Sequence, residues 1–119
     1  MSVVQSMRLK ADVLLGQLKT QTLAGMVIAD YVLKKIADRE LRVTSGSDGK
    51  HGGKGVAGEA RDPHYTGRAF DFGIKEVPVN LRAQVVDEIR TALGPSFRVL
   101  WESQGSPNEH VHVQYEGPA

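Results

Sequence analysis

The sequence predicts an α+β fold, a small mixed or antiparallel sheet with helices on one face. Three observations predict it. Two stretches carry apolar residues at three- and four-residue spacing, Leu23 to Ile36 and Leu81 to Leu93. Several shorter stretches alternate apolar and polar residues, as half-buried strands do. Their order is helix, strand, long loop, strand, helix, strand, strand, which suits helices layered on one sheet face. At 119 residues the chain makes one domain, 1–119, large enough to bury a single core.

Residues 1–19 are weakly patterned and read as an N-terminal arm. The first helix is expected to start near Thr20 or Thr22 as N-cap and to run to about Asp38. Leu23, Met26, Ala29, Leu33 and Ile36 form its core stripe, while Asp30, Lys34 and Asp38 occupy another face and give surface support at i, i+4 spacing. Leu41 to Thr44 reads as a short strand. From 45 to 63 the composition changes abruptly, with Gly46, Gly49, Gly52, Gly53, Gly55 and Gly58 marking a long loop. It serves as the rim of a cleft, with Ser47, Asp48, Lys50 and His51 as substrate contacts, or as a solvated connector. No Gly-Lys-Ser/Thr closes it onto a helix, so it is no phosphate loop. A strand over 69–74 follows. Pro78 and Asn80 then open a second helix that ends at Gly94-Pro95, with Leu81, Val85, Ile89 and Leu93 on its core stripe. Phe97 to Trp101 and 110–115 read as strands joined by the turn Ser103 to Asn108.

Composition narrows the function. Hydrophobic residues make up 40% and charged residues 24%, as in an ordinary globular domain. Fifteen basic and 14 acidic residues leave a net charge of +1 with no run of one sign, so no nucleic-acid partner is expected. The absence of Cys excludes disulfides and thiolate metal sites. The longest stretch free of charged residues, Thr20 to Ala29, is too short to span a bilayer, and the N-terminus makes a poor signal peptide. A monomer made in the cytoplasm, with no membrane partner, is the expectation.

Two stretches offer chemistry. Asp62 to Gly73 carries an imidazole, His64, seven residues before a carboxylate, Asp71. Glu109-His110-Val111-His112 carries a second carboxylate and two imidazoles. Strand alternation brings Ala69, Asp71 and Gly73 onto one face and Phe70, Phe72 and Ile74 onto the other. It likewise sets His110, His112 and Gln114 opposite Val111, Val113 and Tyr115. Two His and one Asp from separate segments suit Zn2+, and three protein ligands leave the fourth position open, as catalytic sites do. Glu109 is out of phase with His112 and needs a turn or bulge to reach it; otherwise it is an exposed loop acid. Glu102 reads as a solvated charge.

His64, Gly67, Ala69 and Asp71, in the pattern His-x-x-Gly-x-Ala-x-Asp, resemble the first motif of the zinc D-alanyl-D-alanine peptidases, a superfamily that includes murein endopeptidases, bacteriophage endolysins and the hedgehog signalling domain. Glu109-x-x-His112 and His110-x-His112 resemble two versions of the second motif. The resemblance spans roughly residues 42–115 and implies that fold, with His64, Asp71 and His112 as zinc ligands and Glu109 as catalytic base. His110 becomes an oxyanion partner, a fourth ligand, or the base in place of Glu109. The family usually has Ser where this chain has Asp62, whose carboxylate can orient an imidazole by accepting its second N–H. The implied substrate is a peptidoglycan stem peptide cut at a bond involving D-alanine, by carboxypeptidase or endopeptidase action. Arg42, Lys50, Arg61 and Arg68 are the basic residues available to hold a substrate carboxylate. The setting implied is cell-wall degradation, after release of a phage lysis enzyme or as part of a virion. Two other classes stand beside it: a zinc-stabilised binding module without turnover, and a different zinc hydrolase on the same scaffold acting on another peptide or amide.

Overall fold

A computed structural model describes residues 19–46 and 67–118 together with the backbone of 8–9. Among these residues, two helices pack on one face of a five-stranded sheet. We label the strands β1 (Arg8–Leu9), β2 (Arg42–Ser45), β3 (Ala69–Gly73), β4 (Phe97–Glu102) and β5 (His110–Tyr115), and the helices α1 (Thr20–Ala37) and α2 (Val79–Leu93). The sheet order is β1-β2-β3-β5-β4. β2, β3, β5 and β4 are mutually antiparallel, and the two-residue β1 pairs parallel with β2. A short parallel strand thus lies within the predicted N-terminal arm.

The core forms where the two periodicities meet. β3 contributes Phe70 and Phe72, with Ile74 just beyond its end, and β5 contributes Val111 and Val113; all are fully buried. They pack in one cluster with Met26, Ala29 and Leu33 of α1 and with Val85, Val86 and Ile89 of α2. Burying each large side chain of this kind contributes about 1.5–3 kcal/mol. Gly25 lets α1 approach β4 closely, since a Cβ there would lie 2.9 Å from the Phe97 ring.

Three details of α1 differ from expectation. Its N-cap is Lys19 without any side-chain cap, because the Thr22 hydroxyl donates instead to the Gly67 carbonyl at 2.8 Å. Leu23 is exposed, and the stripe is completed by Val32. Asp30 is no surface residue. It is fully buried, accepts the Leu41 backbone N–H at 2.8 Å and lies 2.7 Å from the Lys34 ammonium. That bond ties the helix to the residue entering β2, a buried acceptor meeting a backbone donor that the strand leaves unpaired.

Candidate functional site

β3 and β5 build the centre of the site. Their register sets Asp71 opposite His112 and Gly73 opposite His110. Because side chains alternate, both members of each pair stand on the sheet face turned away from the helices. His112 Nδ1 and Asp71 Oδ1 are 2.9 Å apart, and both side chains are largely buried, at 13% and 15% exposure. The other ring nitrogen, Nε2, lies 3.1 Å from Gln114 Oε1. Burial of the His112 ring works against its charged form. The hydrogen bonds to Asp71 and Gln114, with the Asp71 charge, outweigh it and raise the pKa above 6.5. Two ligands on one tetrahedral zinc, each at ~2.0–2.1 Å, stand about 3.3 Å apart. A carboxylate and an imidazole already in contact at this distance are a fitting pair of donors.

Gly67 and Ala69 acquire physical meaning here. Gly67 has φ = 75°, the left-handed region that favours glycine. Its carbonyl is gripped by the Thr22 hydroxyl and the Lys19 N–H, both at 2.8 Å. Ala69 has no exposed surface. The helix start therefore holds the residue at which the chain turns into β3 and aims Asp71.

His110 is oriented from two sides. Its Nδ1 lies 2.7 Å from the Asn108 carbonyl, and its Nε2 lies 3.1 Å from Glu102 Oε1. Glu102, expected as a solvated charge, is thus a partner of this imidazole across the β4–β5 ladder. Glu109 points elsewhere. Its carboxylate accepts from Arg82 Nη1 at 3.0 Å, Trp101 Nε1 at 2.8 Å and the Gly105 backbone N–H at 3.3 Å. It is 6% exposed, so it is a buried, paired acid rather than an exposed loop acid. It borders the same cleft as Asp71 and His110, but its carboxylate is turned to these three donors.

Beside Asp71 opens a cleft of about 380 Å³, lined by Arg42 and Thr44 of β2, Gly73, Lys75 and the turn from Pro107 to His110. The Arg42 guanidinium lies over Gly73, where a Cβ would come 3.0 Å from its Nη1. Lys75 adds a second cation that sequence reasoning missed, although it shares the phase of Asp71 and Gly73. Arg68 is committed elsewhere: its Nη1 donates to the Gly117 carbonyl at 3.0 Å, and it sits against the Tyr115 ring. His64, Lys50, Arg61, Asp62, His51 and the 47–63 part of the Gly-rich loop lie outside the described residues. Among the described residues no three His, Asp or Glu side chains come together as a metal site. No signal local to Glu109 announces Arg82, which stands 27 residues earlier.

No family model, curated protein or solved structure matches the chain. None of the helices among the described residues is long and apolar enough to cross a membrane.

Proposed function

We propose that the protein is a zinc-dependent peptidase of the D-alanyl-D-alanine peptidase and hedgehog type. It hydrolyses peptidoglycan stem-peptide bonds involving D-alanine, on the cell wall after release or as part of a virion. The observation that carries this reading is the meeting of the two motif halves. Asp71 and His112, 41 residues apart in sequence, contact at 2.9 Å on one sheet face beside a cleft. Asp71, His112 and, by the motif, His64 would hold the zinc. Bound there, it would supply Lewis acidity, polarising a carbonyl and acidifying water toward neutrality.

The chain's own groups divide the remaining work. Arg42 at the cleft wall binds a substrate carboxylate, with Lys75 nearby as a second cation. His110 moves the proton. Its Nδ1 is held by the Asn108 carbonyl, so Nε2 is the nitrogen that takes up a proton from the attacking water. Glu102, 3.1 Å away, occupies that nitrogen, so its carboxylate gives way to the attacking water and then stabilises the imidazolium until the proton passes to the leaving amine. Glu109 is supported less well as the base, because three donors already occupy its carboxylate. The same observation favours a second reading, a zinc-stabilised binding module without turnover. Incubation with purified peptidoglycan separates the two. The peptidase reading expects new free amino groups, abolished by chelation and restored by zinc; unchanged muropeptides after long incubation with zinc-loaded protein would leave the binding module.

A further inference from the structure

We infer that Glu109 is a positioning residue, the clamp that sets the β4–β5 turn and through it the ring of His110. The turn from Ser103 to Asn108 has its own internal bonds but needs an anchor to the rest of the domain. Ser103 and Gly105 both have positive φ, 56° and 80°. Its internal bonds run through Ser106, whose N–H and hydroxyl donate to Ser103 O at 3.0 and 2.8 Å and whose Oγ and carbonyl accept from the N–H groups of Asn108 and Glu109, both at 3.1 Å. What fixes it to the domain is one carboxylate. Glu109 receives the Gly105 N–H from inside the turn, the indole N–H of Trp101 from β4, and the Arg82 guanidinium from α2.

Arg82 is itself locked. It donates to the carbonyls of Val77 at 2.8 Å and Lys75 at 3.0 Å, so its fork spans the β3–α2 connection and Glu109 together. The pair is buried, with side-chain exposures of 14% and 4%. Removing one partner of such a pair leaves an uncompensated group in the interior. Asn108 is the residue immediately before Glu109, and its carbonyl holds His110 Nδ1 at 2.7 Å. Moving Glu109 therefore moves the acceptor that orients His110. Pro107, Asn108 and Glu109 itself also line the cleft, so the same clamp sets part of its wall. Glu109 thus borders the cleft, but its carboxylate is taken up by its three donors, and it acts on His110 through Asn108. This inference deepens the proposed peptidase reading, in which His110 handles the proton, but its structural core does not require turnover.

The test uses the full chain at one fixed pH, comparing wild type with Glu109→Gln, Arg82→Met, their double variant and the milder Trp101→Phe. Imidazole nitrogen NMR reports which ring nitrogen of His110 donates, and amide exchange reports the Gly105 N–H. We expect Glu109→Gln and Arg82→Met each to alter the His110 signature and to speed Gly105 exchange at least tenfold. Trp101→Phe, which removes the indole N–H and keeps a smaller aromatic ring, shifts both in the same direction by less and serves if the stronger variants do not fold. Where turnover is present, kcat falls by a similar factor in both single variants with KM little changed, and the double variant loses no more, as residues of one network do. An unchanged His110 signature in Glu109→Gln, or in Trp101→Phe if only that variant folds, overturns the inference. So does a hundredfold loss of turnover in Glu109→Gln alone with Arg82→Met fully active, which makes Glu109 the base itself. Wild-type protein without turnover whose variants still show the NMR changes refutes the peptidase reading and leaves the clamp standing.

Discussion

At the scale of single residues, the contact between Asp71 and His112 decides most. If these two and His64 hold zinc, His64→Ala, Asp71→Ala and His112→Ala each lose the metal by elemental analysis; full occupancy in any variant removes that residue from the set. The same contact makes a prediction about the metal-free protein. The folded-state pKa of His112 lies above the ordinary 6.5, so the folded chain binds its proton more tightly than the unfolded one. That contribution is fully present below pH 6.5 and is lost as pH rises through the raised value. Chelator-treated protein should therefore be more stable to denaturant at about pH 6 than at pH 8 as far as His112 is concerned, and His112→Gln should flatten that slope. A slope unchanged by the substitution would contradict it. The His110/His112 and Asp71/Gly73 phases were legible in the sequence because a strand's period is two, whatever surrounds it. The direction of Glu109 was not, because its partners Arg82 and Trp101 come from other elements.

At the scale of elements, both helices and the strands carrying the site follow from apolar spacing, and their departures have named causes. Thr22 reads as a cap from local sequence, yet its hydroxyl is drawn 45 residues away to Gly67. Asp30 reads as a surface charge at i, i+4 spacing from Lys34. The ion pair is real, but the residue faces inward because the Leu41 N–H needs an acceptor. Asp30→Ala should then destabilise the fold by about 1–3 kcal/mol, measured by denaturant unfolding, since it strands a buried donor. A change within ±0.5 kcal/mol, typical of surface sites, would return Asp30 to the surface class. β2 and β3 meet at Gly73, whose missing side chain makes room for Arg42. Gly73→Ala should leave the protein folded but push the guanidinium aside. In the peptidase reading it then raises KM for a carboxylate-bearing substrate about tenfold or more, as Arg42→Ala does, the scale of a lost charged hydrogen bond. A wild-type KM in both variants would remove Arg42 from substrate binding.

At the scale of the whole molecule, the sheet order places β5 between β3 and β4, although β5 follows both in the chain. The two donors that meet at the site come from β3 and β5, across a sequence separation of 41 residues. Nothing local can bring them together. The pairing must wait until the intervening helix, strand β4 and their connections have closed, and such non-local contacts form slowly. The consequence is kinetic. A metal recognising that pair finds no binding site in the unfolded chain, and little of one until 110–115 have joined the sheet. If zinc binds as proposed, it should therefore leave the folding arm of a chevron nearly unchanged and slow the unfolding arm, as stabilisation absent from the transition state does. At free zinc a hundredfold above Kd the stabilisation is about 2.7 kcal/mol, almost all of it appearing as a longer lifetime of the native state. Stopped-flow measurements with zinc and with chelator would read this directly. A comparable rise in the folding rate would mean instead that β3 and β5 pair early, and that the site is among the first parts of the molecule to take shape.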